Sequence, residues 1–431
     1  MTPRRPRVLI ISLDPVGEQM AGLGIRCSEL ARVLAAHADV TLAAAGENAG
    51  HVEGVATIAF LPHSPTALRR PIADADLVLT QPQWPVITAW LARSRARVVF
   101  DLYDPETFET LELFAGRRPA KRRLMADVTV DRLLDAFRVG DHFICASETQ
   151  RDLWIGAMLA ARRMAPARYD TDPTFREVID VVPFGVPPAP PSRTAGGVRA
   201  RFPQIGADDE IVLWNGGLWR WLDAVGAVRA MALIADRRPQ ARLVFMGAAS
   251  NPAADEATAE ARELARQCGL LERTVFFNDR WVPYADRAAW LLDADCSLSL
   301  HHDHLETRYA FRTRLLDCFW AGLPVVCTAG DDLSQRVERD DLGVTVLPGD
   351  HEGAATAIER VLDRGKERYA PGLAAVAAEH AWPRVAQPLV RWIAEPAPRS
   401  TGRAAPRALG HRARAAAYVA GHRVLSRRHG A

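Results

Sequence analysis

At 431 residues the chain is long enough for two or three domains. Apolar residues make up 48%, charged residues 25%, and net charge is only +2, an ordinary globular balance that gives no whole-chain case for nucleic-acid binding. Its six cysteines (27, 145, 268, 296, 318 and 327) form no CxxC pair and no apolar run approaches the ~18 residues of a spanning helix, which speaks for a reducing cytoplasm and against structural zinc.

The opening MTPRRPRVLIISLDP has basic residues and then an apolar run that ends at Asp14. It is too short for a signal-peptide core and reads as a first strand, Val8–Leu13. Strand-like runs follow at Val40–Ala44, Leu77–Leu79, Val98–Asp101, His142–Ala146 and Val178–Val182, with helical patterns at Ile25–Ala36, Leu124–Val139 and Gln150–Arg163. Pro183–Pro203 is too rich in Pro and Gly to continue a helix or a central strand. Beyond it strands are expected at Ile211–Asn215, Leu243–Met246, Val275–Phe277, Cys296–Leu300, Val325–Cys327 and Val344–Leu347. Helices are expected at Leu222–Ala235, Ala253–Gln267, Glu352–Asp363, Leu373–His380 and Arg384–Ile393. This alternation predicts an α/β protein with two Rossmann-like, doubly wound parallel-sheet domains facing a central cleft. The expected divisions are a first domain at 1–190, a linker at 191–207, a second domain at 208–372, helices at 373–394 that could cross back to the first domain, and a basic tail at 395–431. From Pro396 onward the tail holds eight arginines and no Asp or Glu. It divides into an irregular piece, Glu395–Pro406, and a short helix, Leu409–Arg428. The tail is either a solvated extension or a peripheral anchor on anionic lipid, and the basic cluster near Gly116–Leu124 would support the second reading.

The most informative stretch is Asp295–Val326, DCSLSLHHDHLETRYAFRTRLLDCFWAGLPVV. A strand runs into a polar loop, a helix, a Gly-Leu-Pro turn and a second buried strand. Open α/β sheets bind ligands at such loops, and a helix N-terminus there favours phosphate. Arg308, Arg312 and Arg314 beside it point to an anionic ligand. His301, His302, Asp303 and His304 invite a metal reading, but their spacing fits contacts to sugar or phosphate better. Gly216 and Gly217 would let a ligand approach the end of the first second-half strand. Trp219 and Trp221 beyond them either pack internally or face that ligand. The amides of Arg280, Trp281 and Val282 would suit a base edge. In the first half, Gly22 and Gly24 are either turn glycines or a ligand-facing loop, with Arg26 aimed into the cleft. Asp104, in DLYDPE, is placed to position a hydroxyl or is a solvated turn. The first loop lacks the GxGxxG pattern, which disfavours a nicotinamide cofactor.

Residues 7–393 resemble a glycosyltransferase of the GT-B fold, similar to the retaining enzymes of glycosyltransferase family 4. That family's signature is S-x-x-E-G-F-G-L-P-x-x-E-A-x-A-x-G-x-P-V-V. Ala321–Val326, AGLPVV, anchors the match, and PFGV at Pro183–Val186 resembles the family's P-N-G-V. The resemblance implies that Asp317 takes the place of the glutamate that holds the ribose. Arg312 and Thr313 fall where backbone amides cradle the pyrophosphate. Tyr309 falls where the other motif glutamate stands, with Glu306 nearby to substitute. Gly217 stands where a phosphate-binding Arg is expected and Arg220 lies out of the Lys register, so Arg312 and Arg314 would supply the displaced charge.

The implied reaction moves a sugar from a nucleoside diphosphate sugar to an acceptor hydroxyl with retention, without metal or bound cofactor. Asp104, Glu306 and Arg312 are the expected catalytic residues. The alternatives are a non-catalytic nucleotide-sugar-binding subunit, a sugar-nucleotide epimerase of the same fold, or an enzyme coupling cyclitols.

Overall fold

The central strands of this chain are rich in Val, Ile, Leu and Phe, as expected where strands are buried on both faces. The structure, a computed structural model, describes residues 4–193, 196–248 and 255–394. It divides into two compact units, Met1–Pro183 with Val385–Ala431, and Phe184–Arg384.

The first unit contains β1 (Arg7–Ser12), β2 (Asp39–Ala45), β3 (Ala56–Phe60), β4 (Leu77–Thr80), β5 (Arg97–Asp101), β6 (His142–Cys145) and β7 (Ile179–Val181). They form one sheet in the order β3-β2-β1-β4-β5-β6-β7, with every pair parallel. The second unit contains β8 (Glu210–Gly217), β9 (Ala241–Gly247), β10 (Val275–Phe277), β11 (Cys296–Ser299), β12 (Val325–Thr328) and β13 (Gly343–Val346). Their order is β10-β9-β8-β11-β12-β13, again all parallel. The strand order reverses between β1 and β4, and between β8 and β11. The carboxyl ends there are the ligand-binding positions of a doubly wound sheet.

Sequence patterning did not announce β3. Its ATIAF segment is an edge strand with only Phe60 buried, so it lacks the apolar block that marks the central strands. The expected helix Arg384–Ile393 is two pieces, Trp382–Val385 and Gln387–Ala394. The second piece packs within the first unit. Arg97 donates from Nη1 and Nη2 to the carbonyls of Trp392 and Ile393 at 3.2 and 3.3 Å. Its guanidinium lies 4.2 Å from the Trp392 ring centroid, and His142 stacks on that ring at 5.1 Å.

Phe184–Val186 pairs with the segment just before Trp382. The Val186 amide donates to His380 O at 2.8 Å and the Trp382 amide to Val186 O at 3.0 Å. A Cβ on Gly185 would lie 2.6 Å from the Trp382 ring, so only glycine fits there. The segment 191–207, expected as a linker, takes part in the packing of the second unit. Val198, Phe202 and Ile205 are buried, and Phe202 meets Phe276 and Trp290. Asp293 holds this segment through the Arg199 amide and the Arg193 guanidinium. The tail from Glu395 onward, with its expected irregular piece and helix, lies outside the described residues. No helix among the described residues is long and apolar enough to cross a membrane.

Candidate functional site

In the second unit, β8 ends in a glycine pair. Gly216 has φ +107, a conformation open to glycine, and the register with β9 shifts between Trp214 and Gly217. Gly247 on β9 faces this irregularity. A Cβ there would lie 2.5 Å from Gly216 O, so two backbones meet where a side chain has no room.

The helix Thr313–Trp320 brings Arg314 to this point. Arg314 Nη2 donates to Gly217 O at 3.1 Å, while Asn215 Nδ2 donates to Arg314 O at 2.8 Å. Arg314 Nη1 is buried without a hydrogen-bond partner, and its guanidinium has no carboxylate partner among the described residues. Burial, and next the like charge of Arg312, lower its pKa to about 10.

Arg312 has a different fate. It is 7% exposed and forms a two-pronged pair with Glu306, itself 1% exposed, at 3.0 and 2.7 Å. A third bond runs from Arg312 Nη2 to Thr307 Oγ1. The expectation that Arg312 and Arg314 jointly present positive charge is therefore corrected, because Glu306 neutralises Arg312. The same pair occupies Glu306, expected to stand in for the motif glutamate. The Thr313 amide, expected to cradle phosphate, donates to Phe311 O at 2.7 Å.

Asp317 lies one turn further along and is paired. Arg287 Nε donates to its Oδ1 at 3.0 Å. Arg287 is held in turn by Tyr284 O and lies over the rings of Tyr284 and Trp320. This anchor had no signal in sequence, since Arg287 opens an ordinary helix, Arg287–Asp293. Tyr309 is half-buried at the end of the short helix Leu305–Tyr309, with Arg308 over its ring.

The Arg280–Val282 loop only partly fits its expected role. The Arg280 amide is turned inward to Asn278 Oδ1 at 3.3 Å. Asn278, 1% exposed, also donates to the carbonyls of Met246 and Arg280 and accepts from Arg201, so it shapes the whole loop. Trp281 is 45% exposed and Val282 half-buried. On the loop after β8, Trp219 and Trp221 stack in parallel, 5.3 Å between centroids and 1° between planes. Trp221 is buried, Trp219 half-buried. Arg220 between them is paired with Glu256 at the surface.

The histidine run divides its work. His301 is buried with Nε2 3.6 Å from Asp331 Oδ2, and Asp331 caps the helix Asp332–Arg339. His304 caps the helix Leu305–Tyr309 through Thr307 N. Among the described residues no cluster of three or more His, Cys, Asp or Glu is arranged to hold a metal.

In the first unit, Arg26 does not face a cleft. It is fully buried and bonds the Asp101 carboxylate at 2.6 and 3.1 Å and the carbonyls of Val182 and Pro183 at 2.8 and 2.9 Å. It ties the ends of β5 and β7 to the helix Gly22–Ala35. Gly24 packs so closely that a Cβ would sit 2.4 Å from Pro15 O, and one on Gly22 would approach Tyr103 Oη at 3.1 Å. Asp104 is partly buried at the end of β5. Desolvation, and then the nearby charges of Glu109 and Asp14, raise its carboxyl well above the ordinary range. Asp14 is raised by desolvation and by Glu106. Glu106 itself is paired with Arg132 at 2.6 Å.

Residues 209–364 match a family model described as glycosyl transferases group 1. No curated protein matches the chain. Among solved structures, sucrose-phosphate synthase from Thermosynechococcus elongatus is 18% identical with a TM-score of 0.62, covering 90% of this chain and 98% of that one. The Anabaena protein HepE, solved with UDP-glucose, is 16% identical with a TM-score of 0.66, covering 90% and 99%. WaaG, a glycosyltransferase involved in lipopolysaccharide biosynthesis, is 17% identical with a TM-score of 0.62, covering 90% and 99%. At these identities the likeness establishes the fold. The chain has the GT-B fold, and its residues 209–364 are similar to glycosyl transferases group 1.

Proposed function

We propose that this protein transfers a sugar from a nucleoside diphosphate sugar to an acceptor hydroxyl with retention of configuration, without a metal, in the manner of glycosyltransferase family 4. The observation that carries the reading is Arg314, a desolvated cation at the β8 glycine pair with an N–H left without an acceptor. A buried donor without a partner costs about 1–3 kcal/mol, and a diphosphate oxygen would satisfy it. Negative charge develops on the leaving diphosphate during transfer. A preorganised guanidinium beside it stabilises that charge with little reorganisation. Arg312 then acts indirectly, by fixing the polypeptide that carries Arg314. Asp317 has Oδ1 on Arg287 and offers Oδ2 to a ribose hydroxyl. The solved structures of HepE contain UDP, UDP-glucose, or UDP with glucose, which supports a nucleotide sugar as the donor class.

Calorimetry with UDP, GDP, dTDP and ADP, first without metal and then with magnesium, tests the reading. One nucleotide is expected to bind in the absence of metal. Well-folded protein that binds none of the four would overturn it. Arg314→Met is expected to weaken diphosphate binding by about 1.5–3 kcal/mol, the range for a hydrogen bond to a charged group, with the free nucleoside unaffected. Equal affinity of variant and wild type for the diphosphate would remove Arg314 from the site. Asp317→Ala is expected to weaken nucleoside and nucleotide alike by about 1–3 kcal/mol; unchanged affinity for both would exclude a ribose contact.

A second reading has one observation in its favour. Glu306 is held by Arg312 and Tyr309 replaces the other motif glutamate, as would suit a nucleotide-sugar-binding subunit without activity of its own. Donor binding with no transfer or hydrolysis across an acceptor screen would favour it. The anomeric configuration of any product, read by NMR, decides between retention and inversion.

A further inference from the structure

A dense run of cations lies in the first unit, at the hairpin between the helices Glu106–Leu113 and Pro119–Val139. Arg117, Arg118, Lys121, Arg122 and Arg123 fall within seven positions, and residues 113–126 contain no Asp or Glu. All five cations are exposed. They crowd the start of a 21-residue helix whose first turn has no acid. Its macrodipole already makes that end positive, so helix stability disfavours this arrangement. The sequence keeps five like charges at a helix end whose dipole disfavours them.

The cations are interleaved with apolar groups. Leu111 is 38% exposed, and Leu113, Phe114, Leu124 and Met125 are half-exposed. Arg122 Nη2 donates to Leu111 O at 3.1 Å, and Lys121 Nζ lies 5.7 Å from the Phe114 ring centroid. These contacts hold charge and apolar surface together at one tip. The two helices are pinned behind it by Thr110 and Thr129, whose hydroxyls lie 3.2 Å apart. Cations beside exposed apolar side chains fit an anionic bilayer interface, where headgroups take the charge and the upper acyl region takes the Leu and Phe groups. A nucleic-acid backbone would satisfy the charges and leave the apolar side chains in water.

We infer that this hairpin tip is a docking surface for anionic lipid, independent of the arginine-rich residues beyond Ala394. The test is co-sedimentation of the full chain with vesicles of phosphatidylcholine alone or of phosphatidylcholine mixed with phosphatidylglycerol. The hairpin variant carries Arg117→Ser, Arg118→Ser, Lys121→Ser, Arg122→Ser and Arg123→Ser. The control variant carries Ser in place of five tail arginines (399, 403, 407, 412 and 414). Binding is expected only to the anionic vesicles and is expected to weaken with salt. Each cation near such a surface changes partitioning roughly fivefold, so the hairpin variant, which loses all five, should bind more weakly by roughly a thousandfold or more. Its thermal midpoint should hold or rise, because charges opposed to the helix dipole have been removed. Undiminished binding by the hairpin variant, equal binding to neutral vesicles, or no vesicle binding by the wild type would each overturn the inference.

Discussion

Arg312→Ala is expected to destabilise the second unit by about 3–5 kcal/mol, the cost of breaking a buried ion pair from one side. The Glu306 carboxylate, 1% exposed, would keep no cationic partner among the described residues, since His304 Nδ1, 3.8 Å away, accepts from the Thr307 amide. Thr307 would also lose its Arg312 contact. Glu306→Gln in the same background should recover part of the loss, because it removes the stranded charge. Urea unfolding followed by tryptophan fluorescence measures both. A midpoint unmoved by Arg312→Ala would mean that the pair does not hold this loop. If it does hold the loop, diphosphate affinity should fall with stability in Arg312→Ala. Arg314→Met should instead lose affinity with little loss of stability. That contrast separates a residue that positions the site from one that touches the ligand.

Arg26→Ala is expected to cost the first unit a similar 3–5 kcal/mol. The guanidinium and the Asp101 carboxylate are almost wholly buried, and the remaining guanidinium protons cap two carbonyls at the end of β7. Removing the side chain strands the Asp101 carboxylate, apart from its bond from the Tyr103 amide, and strands both carbonyls. Arg26→Lys should recover little, because an ammonium cannot reach a carboxylate and two carbonyls in a planar fork. Arg26→Met combined with Asp101→Asn should be less harmful than Arg26→Ala alone. A midpoint for the double variant as low as that for the single would refute the stranded-charge explanation.

Fold was the more legible part of this sequence. The central strands showed as apolar runs because burial on both faces demands them; of the half-exposed edge strands, β13 was still legible and β3 was not. The loops after β8 and β11 were legible as strand-to-helix connections, whereas the strand order that makes them reversal points came from the structure. The site was legible in outline only. The sequence placed Arg312, Arg314 and Glu306 in one short run, but three charges in a run do not reveal how they pair. That depends on which side chains the short helix Leu305–Tyr309 turns toward the helix Thr313–Trp320. Arg26 was misread for a related reason. A cation near two glycines suggests a ligand, whereas its carboxylate partner lies 75 positions away on β5. Asn278 and Arg287 act through contacts that no local pattern encodes.

The return of Gln387–Ala394 to the first unit bears on the order of folding during synthesis. All residues of the second unit leave the ribosome before this helix does. The second unit can therefore complete its sheet while β5 and β6 still lack Trp392 against Arg97 and His142. The usual amino-to-carboxyl sequence of domain completion is inverted: the unit begun first is finished last. Until then the surface at Arg97 and His142 that this helix covers stays exposed.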